Sequence, residues 1–102
     1  MAYHVTHRLG HMDQVPPSAF LELLRELDAN PDDEEHGSVS VTHESEWCLS
    51  VSRGGNVTFE NLEEGEPRHM RGVAPDRIIA LWNLLADGSL TSLESEPWQP
   101  GY

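Results

Sequence analysis

The reactive side chains of this 102-residue chain are six histidines, a single cysteine and eighteen carboxylates. His4, His7 and His11 stand three and four apart, with Asp13 close behind. On a helix that spacing would gather imidazoles on one face, as a metal site needs. The local pattern is instead an alternation, with Tyr3, Val5, His7 and Leu9 on one side and His4, Thr6 and Arg8 on the other. Period two marks a strand and sends His4 and His7 to opposite faces. His36, His43 and His69 fall in separate loops or turns. We therefore expect neither a metal centre nor a cofactor.

Cys48 with His43 or His69 is the one conceivable nucleophile–base pair. A nucleophilic cysteine needs positive neighbours that favour the thiolate, whereas Glu46 and Glu60 are the expected neighbours of Cys48. We read it as a small, half-buried strand residue on a wet face. The carboxylates form two blocks: Asp28 with Asp32, Asp33, Glu34 and Glu35, and Glu60 with Glu63, Glu64 and Glu66. A glycosidase-type acid–base pair would need a cleft and one carboxyl with a raised pKa, and solvated loops offer neither. No nucleophile elbow, phosphate loop, dinucleotide fingerprint, zincin helix or EF-hand spacing occurs. No catalytic residue is assigned, and the expectation is a protein that is not an enzyme.

The elements that carry these residues follow from periodicity. After the first strand, Pro16-Pro17-Ser18 opens a helix whose stripe is Phe20, Leu23, Leu24 and Leu27, and which should stop near Asn30-Pro31. Residues 38–42, 46–52 and 56–60 alternate as strands. Gly54-Gly55 reads as a two-residue hairpin turn between the last two. Val39, Val41, Trp47, Leu49, Val51, Val57 and Phe59 share one face, while Ser, Thr, Cys and Glu share the other. Residues 63–72 read as a polar loop. A second helix starts near Pro75, carries the stripe Ile78, Leu81, Trp82 and Leu85, and stops at Gly88. Leu90 and Leu93 allow one more helical turn, and prolines hold the tail 95–102 extended. The expected fold is a single α+β domain over residues 1–102, β-α-β-β-β-α. An antiparallel sheet of about four strands carries two helices on one face of a two-layer sandwich. Either the first strand or residues 56–60 is expected at a sheet edge, open to dimer pairing, so the chain is expected to be a monomer or a homodimer.

Charge restricts the partners. Six arginines and no lysine against eighteen acids give a formal net charge of −12, which repels nucleic acid backbone and anionic lipid. An excess this large destabilises a compact chain through self-repulsion. Several acids also sit where stability would not place them. Glu22 and Glu26 are like charges at i, i+4, and Asp28 and Asp87 lie near negative helix ends. The charge suits either capture of a basic macromolecule or life in high salt. Arg68, His69, Met70 and Arg71 form the only basic island, read as neutralised by the neighbouring acids or as a mixed-charge contact loop. Trp98 and Tyr102 in the tail are either interface anchors or part of a strap over the fold. The first residues carry no basic stretch followed by an apolar run, so the cytoplasm is the expected compartment.

Three segments, Glu60-Asn61-Leu62, Pro67-Arg68-His69-Met70-x-Gly72-Val73 and Glu96-Pro97-Trp98-x-Pro100-Gly101-Tyr102, resemble a set of small bacterial proteins. The general cast is similar to the immunity proteins of bacterial polymorphic toxin systems. That resemblance implies a cytoplasmic inhibitor that binds a toxin domain and blocks a basic active-site cleft, one that acts on nucleic acid being a natural target. It assigns no individual residue. Under this reading Asp32, Asp33, Glu34, Glu35, Glu60, Glu63, Glu64 and Glu66 steer the partner, and Arg68, His69, Trp98 and Tyr102 complete the contact. The competing readings are a small metal- or histidine-dependent enzyme and an acidic adaptor or regulatory module.

Overall fold

The computed structural model describes residues 3–8, 10–28, 37–52, 54–61, 63 and 66–100, the side chain of Asp28 excepted. Among these residues seven strands form one antiparallel sheet: β1 (Tyr3–Thr6), β2 (Met12–Asp13), β3 (Ser38–His43), β4 (Trp47–Ser52), β5 (Asn56–Asn61), β6 (Arg68–Met70) and β7 (Gln99–Pro100), in the spatial order β2-β1-β3-β4-β5-β6-β7. The α+β class and the antiparallel sheet match the sequence reading, but seven strands replace about four. The additions are β2, β6 and β7. Two or three residues carry too little periodicity to announce a strand, and they pair here because the flanks of β1 and β5 would otherwise leave a row of backbone groups open. The same additions correct the expected edges. β1 lies between β2 and β3, and β5 between β4 and β6. The true edges are two residues long, and one contains Pro100, which has no N–H to offer.

Register explains the core. Val5, Val41, Leu49 and Phe59 lie side by side across four strands, and Val39, Val51 and Val57 form the adjacent row. All seven are 2% exposed or less. The helices cover this face: α1 (Phe20–Arg25), flanked by short 3-10 turns at Pro17–Ala19 and Glu26–Asp28, α2 (Pro75–Ala86) and α3 (Leu90–Glu94). Phe20, Leu23 and Leu27 from the first helical segment meet Ile78, Leu81, Trp82, Leu85 and Leu93 in one cluster with the strand residues. Phe20 stands edge-on between Tyr3 and Trp82, with ring centroids 5.8 Å away on both sides. The Trp82 indole donates its N–H to the Leu49 carbonyl at 3.1 Å, so its polar atom is satisfied inside the core.

Two glycines are required by geometry. Register pairs Ser52 with Asn56, which leaves 53–55 as the β4–β5 connection, one residue longer than the sequence suggested. Gly55 (φ 81) lies so close to the approach of α2 that an added Cβ would stand 2.7 Å from the Val73 carbonyl oxygen. The Val73 N–H donates to the Gly55 carbonyl at 3.1 Å, tying the hairpin tip to the second helix. Gly88 (φ 79) ends α2, its N–H and that of Ser89 donating to the Leu85 and Leu84 carbonyls.

Candidate interaction surface

The helices leave the second face of the sheet uncovered among the described residues. Thr6, Ser40, Ser50, Thr58, His69 and Gln99 lie in one cross-strand row over six strands, with Met12 extending it on β2. A second row holds His4, Thr42, Cys48 and Glu60, and a third Ser38, Ser52 and Asn56. The face is short, polar and hydroxyl-rich, as strict alternation demands once the other face is apolar. One part of it is drier than expected: Cys48 and Thr42 are each 5% exposed, so Cys48 is buried rather than half-buried. The Thr42 hydroxyl donates to the Cys48 sulfur at 3.4 Å, and Ser50 Oγ lies 3.7 Å from it. Glu60 is the cross-strand partner of Cys48, as the sequence suggested.

The meander also gathers charge. The β3–β4 turn and the β5–β6 loop must fall at the same end of the sheet, and the Asn61 side chain donates to the Ser45 carbonyl to join them. Glu44 and Glu46 therefore stand beside Glu60, Glu63 and Glu66, a grouping missed by reading acidic blocks along the chain. The antiparallel register would have revealed it. Glu46 adopts φ 72, the one positive φ of a non-glycine residue among those described. Asp32, Asp33, Glu34, Glu35, Glu64 and Tyr102 lie outside the described residues.

The basic island divides. Arg68 points to the helix side, where its guanidinium forms a two-pronged pair with Glu94 (2.6 and 2.9 Å) and lies 5.8 and 5.1 Å from the ring centres of Trp47 and Phe59. Those bonds raise the Arg68 pKa and hold the Glu94 carboxyl below its ordinary value. Arg77 is paired with Glu96. Trp98 stacks on Phe59 at 5.1 Å, Phe59 stacks on Trp47 at 4.7 Å, and the Trp98 indole N–H donates to the Leu93 carbonyl at 2.7 Å. The tail is thus strapped across the β5–β6 side by its half-buried indole. His69 faces the open side, and Arg71 is exposed just beyond β6.

The histidines assemble differently from the strand expectation. β1 ends at Thr6, and His7 then sits between two carboxylates, with Nδ1 2.6 Å from Glu26 and Nε2 3.6 Å from Asp13. His11 stacks on its ring at 4.1 Å. Glu26 also accepts the Arg8 backbone N–H at 3.0 Å. That bond gives Glu26 a structural reason that sequence alone did not supply. Among the described residues no group of three or more His, Cys, Asp or Glu is arranged to hold a metal ion. No described helix is long and apolar enough to cross a membrane. Comparison with family models, curated proteins and solved structures finds no match to this chain.

Proposed function

We propose that this chain is a non-catalytic acidic binding protein of the immunity type, which neutralises a toxin domain by occupying a basic active-site cleft. The observation that carries the reading is how charge is divided. Arg68 and Arg77 are paired at the surface with Glu94 and Glu96. Glu44, Glu46, Glu63 and Glu66 have no ion pair among the described residues and gather at one end of an uncovered polar face. Glu46 stands at a φ that glycine would occupy without strain. Negative potential of this kind accelerates encounter with a basic partner toward 10⁸–10⁹ M⁻¹s⁻¹ at low salt, on the order of a hundredfold or more above a neutral pair. An interface of standard size would bury ~800 Å² on each partner.

The test is genetic and then kinetic. The gene adjacent to this one, expressed alone in a heterologous host, is expected to be toxic, and co-expression of this chain to relieve the toxicity. A harmless neighbour, or toxicity that persists, removes the immunity reading. Charge reversal of Asp32, Asp33, Glu34 and Glu35, or of Glu63 and Glu66, should slow association and flatten its salt dependence. An unchanged on-rate takes that group out of the mechanism.

A further inference from the structure

The corner of the open face next to β6 has the opposite character to the rest of the molecule. A depression of about 460 Å³ is lined by Ser52, Asn56, Thr58, His69, Met70 and Arg71. Two adjoining depressions share Arg71 as a wall, one extending to Gln99 and the other to Arg77 and Glu96. With three acids for every arginine, a guanidinium on this surface would ordinarily find a carboxylate, as Arg68 and Arg77 do. Among the described residues Arg71 makes no ion pair or hydrogen bond. Arg25, also without an ion pair among the described residues, lies in the last turn of α1, where the helix dipole favours a cation. Arg71 has no such local reason. The nearest acid in the adjoining lobe, Glu96, is already held by Arg77.

We infer that the Arg71 depression is a binding site for a single carboxylate. A guanidinium offers two parallel N–H donors that match the two oxygens of a carboxylate. Beside His69 and Met70, the residues that share the depression with Arg71 are the neutral polar Ser52, Asn56 and Thr58, and Gln99 lines an adjoining one. One guanidinium balances one negative charge. A phosphate dianion would bring a second charge into a molecule whose formal net charge is already −12, so the monoanion is the matched ligand. Within the reading above, the carboxylate is an Asp or Glu side chain of the otherwise basic partner. That attribution rests on the proposed function, whereas the site itself does not. Its role there is specificity: an acidic side chain seated on Arg71 fixes register, and a partner that lacks it leaves the site unfilled.

The test uses the full chain and acetate as the probe, titrated by ¹⁵N NMR at constant ionic strength, with phosphate as a parallel arm. Acetate is expected to give saturable shifts at Asn56, Thr58, His69, Met70 and the Arg71 side-chain N–H. The dissociation constant should be on the order of 10–100 mM, the strength of one charge-assisted contact. Arg71→Gln should abolish these shifts, Arg71→Lys should weaken them, and Arg25→Gln should leave them intact. Shifts that never saturate, that persist in Arg71→Gln, or that fall equally in Arg25→Gln overturn the site. Tighter binding of phosphate than of acetate overturns the carboxylate assignment. None of these outcomes depends on toxicity or its relief, so the site and the immunity reading fail separately.

Discussion

Replacing Trp98 with alanine separates a strap from an anchor. The indole is half-buried, stacked 5.1 Å from Phe59, and its N–H reaches the Leu93 carbonyl. A fully buried tryptophan removes ~150–250 Å² from water, so half of that is on the order of 100 Å². At ~25 cal/mol per Å² this area is worth about 2.5 kcal/mol. The hydrogen bond adds about 1 kcal/mol and the stacking ~0.5–1.5 kcal/mol. Against these stands the entropy recovered when Gln99 and Pro100 are no longer held, ~1–2 kcal/mol per residue. The net loss is about 2 kcal/mol. For a chain near a hundred residues each kcal/mol moves the melting temperature by ~4–8 °C, so Trp98→Ala should melt roughly 10 °C lower.

Thermal melts followed by far-UV circular dichroism measure this directly. Trp98→Phe keeps an aromatic face on Phe59 but loses the indole N–H, and should fall only about half as far. Phe59, 0% exposed in the intact protein, should become accessible to solvent in the alanine variant. A melting temperature within 3 °C of the parent would refute the reasoning. The ring would then contribute nothing to the fold and would be available to a partner. Under the strap reading, the variant at a temperature where it is folded binds its partner with unchanged affinity.

Three further outcomes are expected. Gly55→Ala should destabilise the protein well beyond Gly54→Ala in denaturant melts: both pay ~1–2 kcal/mol for a left-handed backbone, but only Gly55 brings a Cβ to 2.7 Å from the Val73 carbonyl. Glu94 titrates below its ordinary 4.5 because Arg68 bonds to its ionised form. Its contribution is therefore complete above that value and disappears as the pH falls through the lowered one. Glu94→Gln should melt a few degrees below the parent at pH 7, consistent with about 0.5 kcal/mol for a partly exposed pair, and the gap should close below pH 4.5. Raising NaCl from 0.01 to 0.15 M should raise the melting temperature and then reach a plateau, because the screening length shrinks from ~30 Å to ~8 Å in a molecule 34 Å along its longest axis. A rise that continues into molar salt would assign the acidity to salt adaptation.

The parts of the fold visible in the sequence are those where one physical signal repeats. The alternation at 38–42, 46–52 and 56–60, which became β3, β4 and β5, and the stripes of the two main helices each run for several residues, and their apolar partners met as expected. The elements that escaped are held by neighbours rather than by their own pattern. β6 is three residues long and β7 two, one of them proline, and neither would form without β5 beside it. The same distinction applies to the candidate surface. Glu60, Glu63 and Glu66 are adjacent in sequence and were seen together, but Glu44 and Glu46 join them only through strand register. Arg68 and Arg71, three apart in sequence, look alike there. In the fold one is pinned between Glu94 and an aromatic stack, and the other opens onto the uncovered face.

Cohesion and charge are consequently carried by different residues. Among the described residues the cluster that joins sheet and helices is apolar throughout, and the pairs Arg68–Glu94 and Arg77–Glu96 hold the C-terminal segment against it. Glu26, which looked misplaced beside Glu22, proves structural because it accepts both His7 and the Arg8 backbone. Among the described side chains, setting aside these, Asp13 beside His7 and Glu60, which has an interaction of its own, leaves Glu22, Glu44, Glu46, Glu63, Glu66, Asp76 and Asp87. Glu22 and Asp76 are explained by the first turns of α1 and α2, and Asp87 at the far end of α2 accepts the Ser89 hydroxyl while opposing the dipole by ~0.3–1 kcal/mol. Glu46 adds backbone strain. A neutral chain with the same core would carry less self-repulsion, so the cohesion of the fold does not account for these carboxylates.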